Sequence, residues 1–122
     1  MSRWLLALWI GVLMSISVTA NADEEPAILL ANVYRNQVDV TQYLVSEKLD
    51  GVRAVWDGRS LRFRSGKPIH APAWFVDALP AQPLDGELWI GRGSFERVSG
   101  IVRKETPIDA EWRQVRYMVF EL

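Results

Sequence analysis

Alternation of apolar and polar residues is the strongest regularity in this chain. Val52-Arg53-Ala54-Val55-Trp56 and Leu61-Arg62-Phe63-Arg64 follow the two-residue period of a strand with one buried face. Asp57-Gly58 lies between them and suits the positive dihedrals of a tight turn, so an antiparallel hairpin is predicted. Residues 84–90 read as another strand and residues 115–122 as a further one, enriched in β-branched and aromatic side chains. Residues 43–49 are expected to form a strand feeding the hairpin. Helical segments are shorter. Residues 73–79 are framed by Pro72 in front and Pro80 behind, and residues 94–102 begin at an N-cap candidate, Ser94, with Arg97 where a capping box would place an acid. No internal repeat is visible, and the order of strands and short helices predicts an α+β fold around an antiparallel sheet rather than a doubly wound one.

The first residues follow a different pattern. Arg3 precedes the apolar run from Trp4 to Met14, small and polar residues follow, and Ala20-Asn21-Ala22 forms an A-x-A site. This is the layout of a secretory signal peptide over residues 1–22, with cleavage after Ala22. A membrane-spanning helix needs about 20 apolar residues, and Ser15, Ser17 and Thr19 dilute the run before that length. The expected product is a periplasmic domain, residues 23–122, with no stable membrane association after cleavage. At 122 residues with 24% charged side chains, the chain holds one ordinary domain and no disordered tract. Its zero cysteines exclude a disulfide scaffold, a thiolate zinc site and cysteine nucleophiles.

Charge changes the picture through its distribution. The whole chain carries −1, but residues 48–104 hold ten Lys or Arg against six Asp or Glu, whereas residues 23–47 hold five acids and only Arg35. A phosphate-facing surface on an acidic protein is therefore possible, although a solvated face is the ordinary meaning of such an excess. Within the basic region, strand geometry over Lys48-Leu49-Asp50 would send Lys48 and Asp50 to one face, and Gly51 permits a bend. A lysine attacks an electrophile only as the neutral amine, for which it needs burial or nearby positive charge, and Arg53 can supply that charge or hold a phosphate in its planar fork. Arg64-Ser65-Gly66-Lys67 sets two cations around a flexible turn suited to a phosphate. In Asp85-Gly86-Glu87, a carboxylate at the start of an apolar strand can bind Mg²⁺ or a ribose hydroxyl. Each element alone also has a plain reading: an exposed ion pair, a turn, a surface acid.

Taken together and in order, these elements resemble the ATP-dependent DNA ligases, most closely the small exported type called ligase E. Lys48-Leu49-Asp50-Gly51-Val52-Arg53 matches the K-x-D-G-x-R nucleotidyl-transfer motif, with Arg64-Ser65-Gly66, Leu84 to Gly93, and Tyr117 to Leu122 as supporting elements. The resemblance implies an antiparallel-sheet-rich nucleotidyltransferase (adenylation) domain that uses ATP and Mg²⁺ on nicked double-stranded DNA, acting as a monomer. It implies Lys48 as the nucleophile that forms lysyl-AMP, Asp50 as its support, Arg53 and Arg64 on nucleotide or nick phosphate, Glu87 on ribose or metal-linked water, and Phe120 stacked on adenine. No metal ligand set is assigned. Phe63, where the family often has Ser or Thr, and Glu121, where it often has Asp, depart from the pattern.

The E-G-x-x-x-K/R and K-x-K elements and the OB domain of the family do not occur before Leu122, where an apolar strand stops without a polar tail. The expectation is a fragment, cut within the adenylation domain, with most of its adenylation rate lost and little or no activity alone. Two alternatives remain: an RNA ligase or capping-type nucleotidyltransferase, and a non-catalytic exported binding module whose Trp56, Trp74, Trp89 and Trp112 form a ligand face.

Overall fold

The computed structural model describes residues 24–121. The predicted signal peptide and Leu122 lie outside them. In chain order the elements are β1 (Val52–Trp56), β2 (Leu61–Phe63), α1 (Ala73–Val76), β3 (Leu84–Trp89), α2 (Phe95–Val102), α3 (Asp109–Trp112) and β4 (Arg116–Glu121), preceded by a 3₁₀ turn at Val40–Gln42. The four strands form one antiparallel sheet in the order β2-β1-β3-β4. The architecture is the sheet-rich α+β class that the alternation predicts.

One face of that sheet is the core. Val52, Ala54 and Trp56 of β1 and Leu84 and Leu88 of β3 pack against Val98, Ile101 and Val102 of α2 and against Trp112 of α3, which is fully buried. The spacing of those α2 residues puts them on one stripe of the helix. The pattern predicts a helix at residues 94–102, and Ser94 does precede the first turn, but its hydroxyl donates to the Arg92 carbonyl instead of capping α2. Glu96 supplies the favourable first-turn charge in its place.

Tyr117 ties three strands together beneath the sheet. Its hydroxyl donates to the carbonyls of Ala54 (2.9 Å) and Leu84 (3.1 Å), and burial pushes the phenol far above its ordinary pKa. The small pair Ala54 and Gly86, opposite each other in the β1–β3 register, leaves room for the ring. A Cβ on Gly86 would lie 2.7 Å from the Tyr117 ring and 2.6 Å from the Met118 carbonyl oxygen.

Four expectations need correction. Residues 43–50 form no strand: Tyr43, Leu44 and Val45 are exposed, and no sheet edge is paired with them. The face shared by Lys48 and Asp50 therefore cannot be argued from strand geometry. The hairpin turn is a four-residue loop, closed by Asp57 N–H to the Ser60 carbonyl, in which the Asp57 carboxylate accepts from the amides of Arg59 and Ser60 and from the Ser60 hydroxyl. That side-chain bonding, rather than a positive-dihedral pair, turns the chain. β2 stops at Phe63, before Arg64, and α1 covers only the first four residues of the helix predicted over 73–79.

Candidate active site

The opposite face of the sheet carries the candidate chemistry. Because Val52, Ala54 and Trp56 point into the core, Arg53 points the other way, and the β1–β3 register sets it directly opposite Glu87. Asp85 shares that face. Its carboxylate takes a bidentate hydrogen-bonded pair from Arg53, with Nε at 2.8 Å from Oδ1, and both side chains are largely buried. Arg53 also donates to the Leu29 carbonyl at 3.0 Å, so the segment ahead of the sheet helps to fix the guanidinium.

Phe120 reaches the same place through a β-bulge. Gly86 pairs with Val119 while Asp85 pairs with Glu121, which leaves Phe120 as the extra residue of β4. A bulge re-aims a side chain relative to simple alternation. Here the half-exposed Phe120 ring lies under the Arg53 guanidinium, 5.2 Å from carbon to centroid.

Lys48 and Asp50 sit on exposed, irregular chain next to this face. What attaches them is Gly51, whose N–H donates to Glu87 Oε1 at 3.0 Å. A Cβ on Gly51 would stand 2.3 Å from the Leu88 carbonyl oxygen, so only glycine lets the chain approach β3 so closely. Burial raises the Glu87 pKa above the usual carboxylate value; the Gly51 hydrogen bond and the charges of Arg53 and Lys48 oppose that rise, and the charge of Asp50 adds to it. Lys48, Asp50 and Arg53 thus each act electrostatically on Glu87.

Arg64 is brought to the site by a cleft. This open cleft of about 690 Å³ is lined by Gly51 and Arg53 of the lysine segment and β1, by Arg64 and Ser65 after β2, and by Phe95 and Arg103 at the two ends of α2. Phe63 also lines the cleft, with the Arg103 guanidinium over its ring at 5.1 Å. Glu87 and Phe120 do not line the cleft. Asp50 borders a separate crevice at the start of α2, with Ser94 and Arg97.

Three contributors were not among the predicted site residues. Alternation alone would have placed Asp85 on the face of Glu87, two residues away. Phe95 and Arg103 come from a helix whose sequence signals only its buried stripe. Among the described residues no group of three or more His, Asp or Glu is arranged to hold a metal ion. The four tryptophans do not make a common ligand face. Trp56 and Trp112 are core, Trp56 Nε1 donates to the Pro80 carbonyl, and the exposed Trp74 donates to Asp109 of α3.

No protein-family model matches the chain. Over 103 residues, or 84% of its length, it is 37% identical to a DNA ligase of Haemophilus influenzae, and the match covers 36% of that protein. It also superposes with a TM-score of 0.69 on a solved structure from a structure–function study of Lig E DNA ligases and of DNA binding with a minimal scaffold. That match has 44% identity and covers 78% of this chain and 38% of the other. The chain therefore spans a little over a third of the length of the relatives it matches.

Proposed function

We propose that this chain, which shares both sequence and fold with part of the Lig E DNA ligases, carries the nucleotide-loading chemistry of an exported, ATP-dependent nick-sealing enzyme. Lys48 is the nucleophile. Its neutral amine forms a nitrogen–phosphorus bond to the α-phosphate of ATP, the bond to pyrophosphate breaks, and the amine's proton leaves to solvent. Arg53 and Arg64 meet phosphate oxygens, Phe120 offers a ring to the adenine, and Glu87 faces the ribose. The 5′-phosphate of a nick in DNA then takes the AMP as the lysine nitrogen–phosphorus bond breaks, and the 3′-hydroxyl attacks that phosphate, forming the phosphodiester and releasing AMP.

The observation that carries this reading is the convergence of residues from three parts of the sequence on one face of the sheet. Arg53 lies between Asp85 and Phe120, and the lysine segment is tied through Gly51 to Glu87. Mg²⁺ is commonly held by one or two carboxylates together with substrate phosphates, and Asp50, exposed two residues from Lys48, would be the carboxylate to hold it. Bound there, the ion would neutralise phosphate charge.

The test is incubation of the purified chain with α-labelled ATP and Mg²⁺, with Lys48→Ala beside it, followed by denaturing electrophoresis. We expect slow accumulation of an acid-labile label on the wild type and none on Lys48→Ala. No label after prolonged incubation, or equal label on both proteins, would overturn the proposal. Transfer of the label to nicked RNA in preference to nicked DNA would favour the RNA-ligase alternative.

A further inference from the structure

The segment that carries Lys48 has no secondary structure to hold it: residues 44–50 belong to no helix or strand and are almost entirely exposed. It is nevertheless fastened at both ends. On the C-terminal side Gly51 donates to Glu87 of β3. On the N-terminal side Glu47, the residue before Lys48, receives a bidentate pair from Arg92, with Nε–Oε1 and Nη2–Oε2 both 2.7 Å. Arg92 stands in the turn that leaves β3, between Gly91 (φ +131°) and Gly93 (φ +67°). Both fasteners therefore come from one strand and its exit turn, 5 residues apart in Glu87-Leu88-Trp89-Ile90-Gly91-Arg92.

We propose that Arg92 is a positioning residue for Lys48, acting through Glu47 as the second half of a clamp whose first half is the Gly51–Glu87 hydrogen bond. The proposal rests on the nucleotidyl-transfer reading above. Hydrogen bonding from Arg92 also holds the Glu47 carboxyl below its ordinary pKa, so the pair stays charged to lower pH than an unpaired glutamate would. A guanidinium meeting a carboxylate along two parallel bonds fixes direction as well as distance, which a single contact to an exposed lysine would not. Arg92 touches neither nucleotide nor DNA in this scheme. It narrows the range of backbone positions from which the amine can reach a phosphate, and near-attack geometry governs the rate of such a step.

The test compares wild type, Arg92→Ala, Arg92→Lys and the charge-swapped double variant Glu47→Arg/Arg92→Glu by two readouts. Amide hydrogen exchange over residues 44–52 reads the clamp directly. An exposed ion pair corresponds to opening that is roughly two- to fivefold more frequent when it is removed, so exchange should quicken by that factor in Arg92→Ala and return towards wild type in the swap. The rate and half-saturation of self-labelling by α-labelled ATP read its purpose. Arg92→Ala should lower the maximal rate with little change in half-saturation, Arg92→Lys should recover part of it, and the swap most of it. Unchanged exchange in Arg92→Ala overturns the clamp whatever the labelling shows. Faster exchange with an unchanged labelling rate overturns the positioning role while leaving the proposed function intact. An unlabelled wild type overturns the proposed function, and the role assigned to Arg92 falls with it.

Discussion

Replacing Gly51 by alanine isolates the closest approach at the candidate site. The added Cβ would lie 2.3 Å from the Leu88 carbonyl oxygen, 3.2 Å from the Leu88 carbonyl carbon and 2.9 Å from Glu87 Cγ. Two of those three atoms are backbone in β3, which is paired on both sides, so they cannot simply rotate away. Relief must come from displacing the chain at residue 51, which lengthens the hydrogen bond from Gly51 to Glu87. Overpacking of this kind costs about 1–3 kcal/mol. The hydrogen bond adds less than a buried one would, because Glu87 is partly solvated. For a domain of this size each kcal/mol moves the melting temperature by about 4–8 °C, so Gly51→Ala should melt roughly 5–20 °C lower by circular dichroism. Gly100→Ala is the control, since its Cβ meets nothing within 4 Å and lies inside α2. Alanine in a helix interior is favoured over glycine by about 0.5–1 kcal/mol, so that variant should melt higher. A Gly51→Ala protein that melts with wild type, while Gly100→Ala is stabilised, would show that the approach of residue 51 to β3 is not as close as described.

Tyr117→Phe removes one hydroxyl from two carbonyl acceptors, Ala54 and Leu84. Both carbonyls keep their partners in the β1–β3 ladder, so losing the hydroxyl's bonds should cost about 0.5–1.5 kcal/mol, read as a lower urea midpoint with an unchanged slope. Glu87 gives a prediction in pH. Its folded pKa is raised, so between the unfolded value and the folded one the native state binds more protons, and its contribution to stability declines as pH rises through that window. Glu87→Gln has no such titration. Urea denaturation at pH 4 and pH 7 should therefore show wild type losing stability relative to Glu87→Gln on going to pH 7, and the opposite sign would refute the assignment.

Alternation made most of the sheet legible. In β1 and β3 the residues that alternate as apolar in the sequence are the buried ones, and the same rule sends Arg53, Asp85 and Glu87 to the other face. The rule fails where strand formation depends on a partner. Tyr43-Leu44-Val45 has the composition of a strand but pairs with no edge of the sheet, and strand preference without cross-strand neighbours is weak. α3 is four residues long, too short for a helical period, and is held by burial of Trp112 and by the pair from Lys104 to Glu111. The bulge at Phe120 is a property of two strands in register, which one strand's sequence does not express. The bond from Arg92 to Glu47 joins residues 45 positions apart, with no local pattern announcing it.

The pairing of charges on the uncovered face bears on how a phosphate would be recognised there. Arg53 is already neutralised by Asp85 along two bonds and is further fixed by the Leu29 carbonyl and the Phe120 ring. Its guanidinium is thus oriented before any ligand arrives, and little ordering remains to be done on binding. The same neutralisation means that Arg53 adds direction more than net attraction. Glu87 and Asp50 add negative charge nearby, and the whole chain carries −1. Under the proposed function, the attraction that brings a polyphosphate to this face must therefore come from the exposed cations around it. Lys48 acts on Glu87 through its charge, and Arg64 and Arg103 both line the cleft beside Arg53. Exposed charges act through solvent and are screened by salt, whereas a half-buried pair is screened much less. Under the proposed function, capture and orientation are consequently assigned to different arginines: Arg64 and Arg103, in the neighbouring cleft, to the salt-sensitive step, and Arg53 to the geometry that follows it.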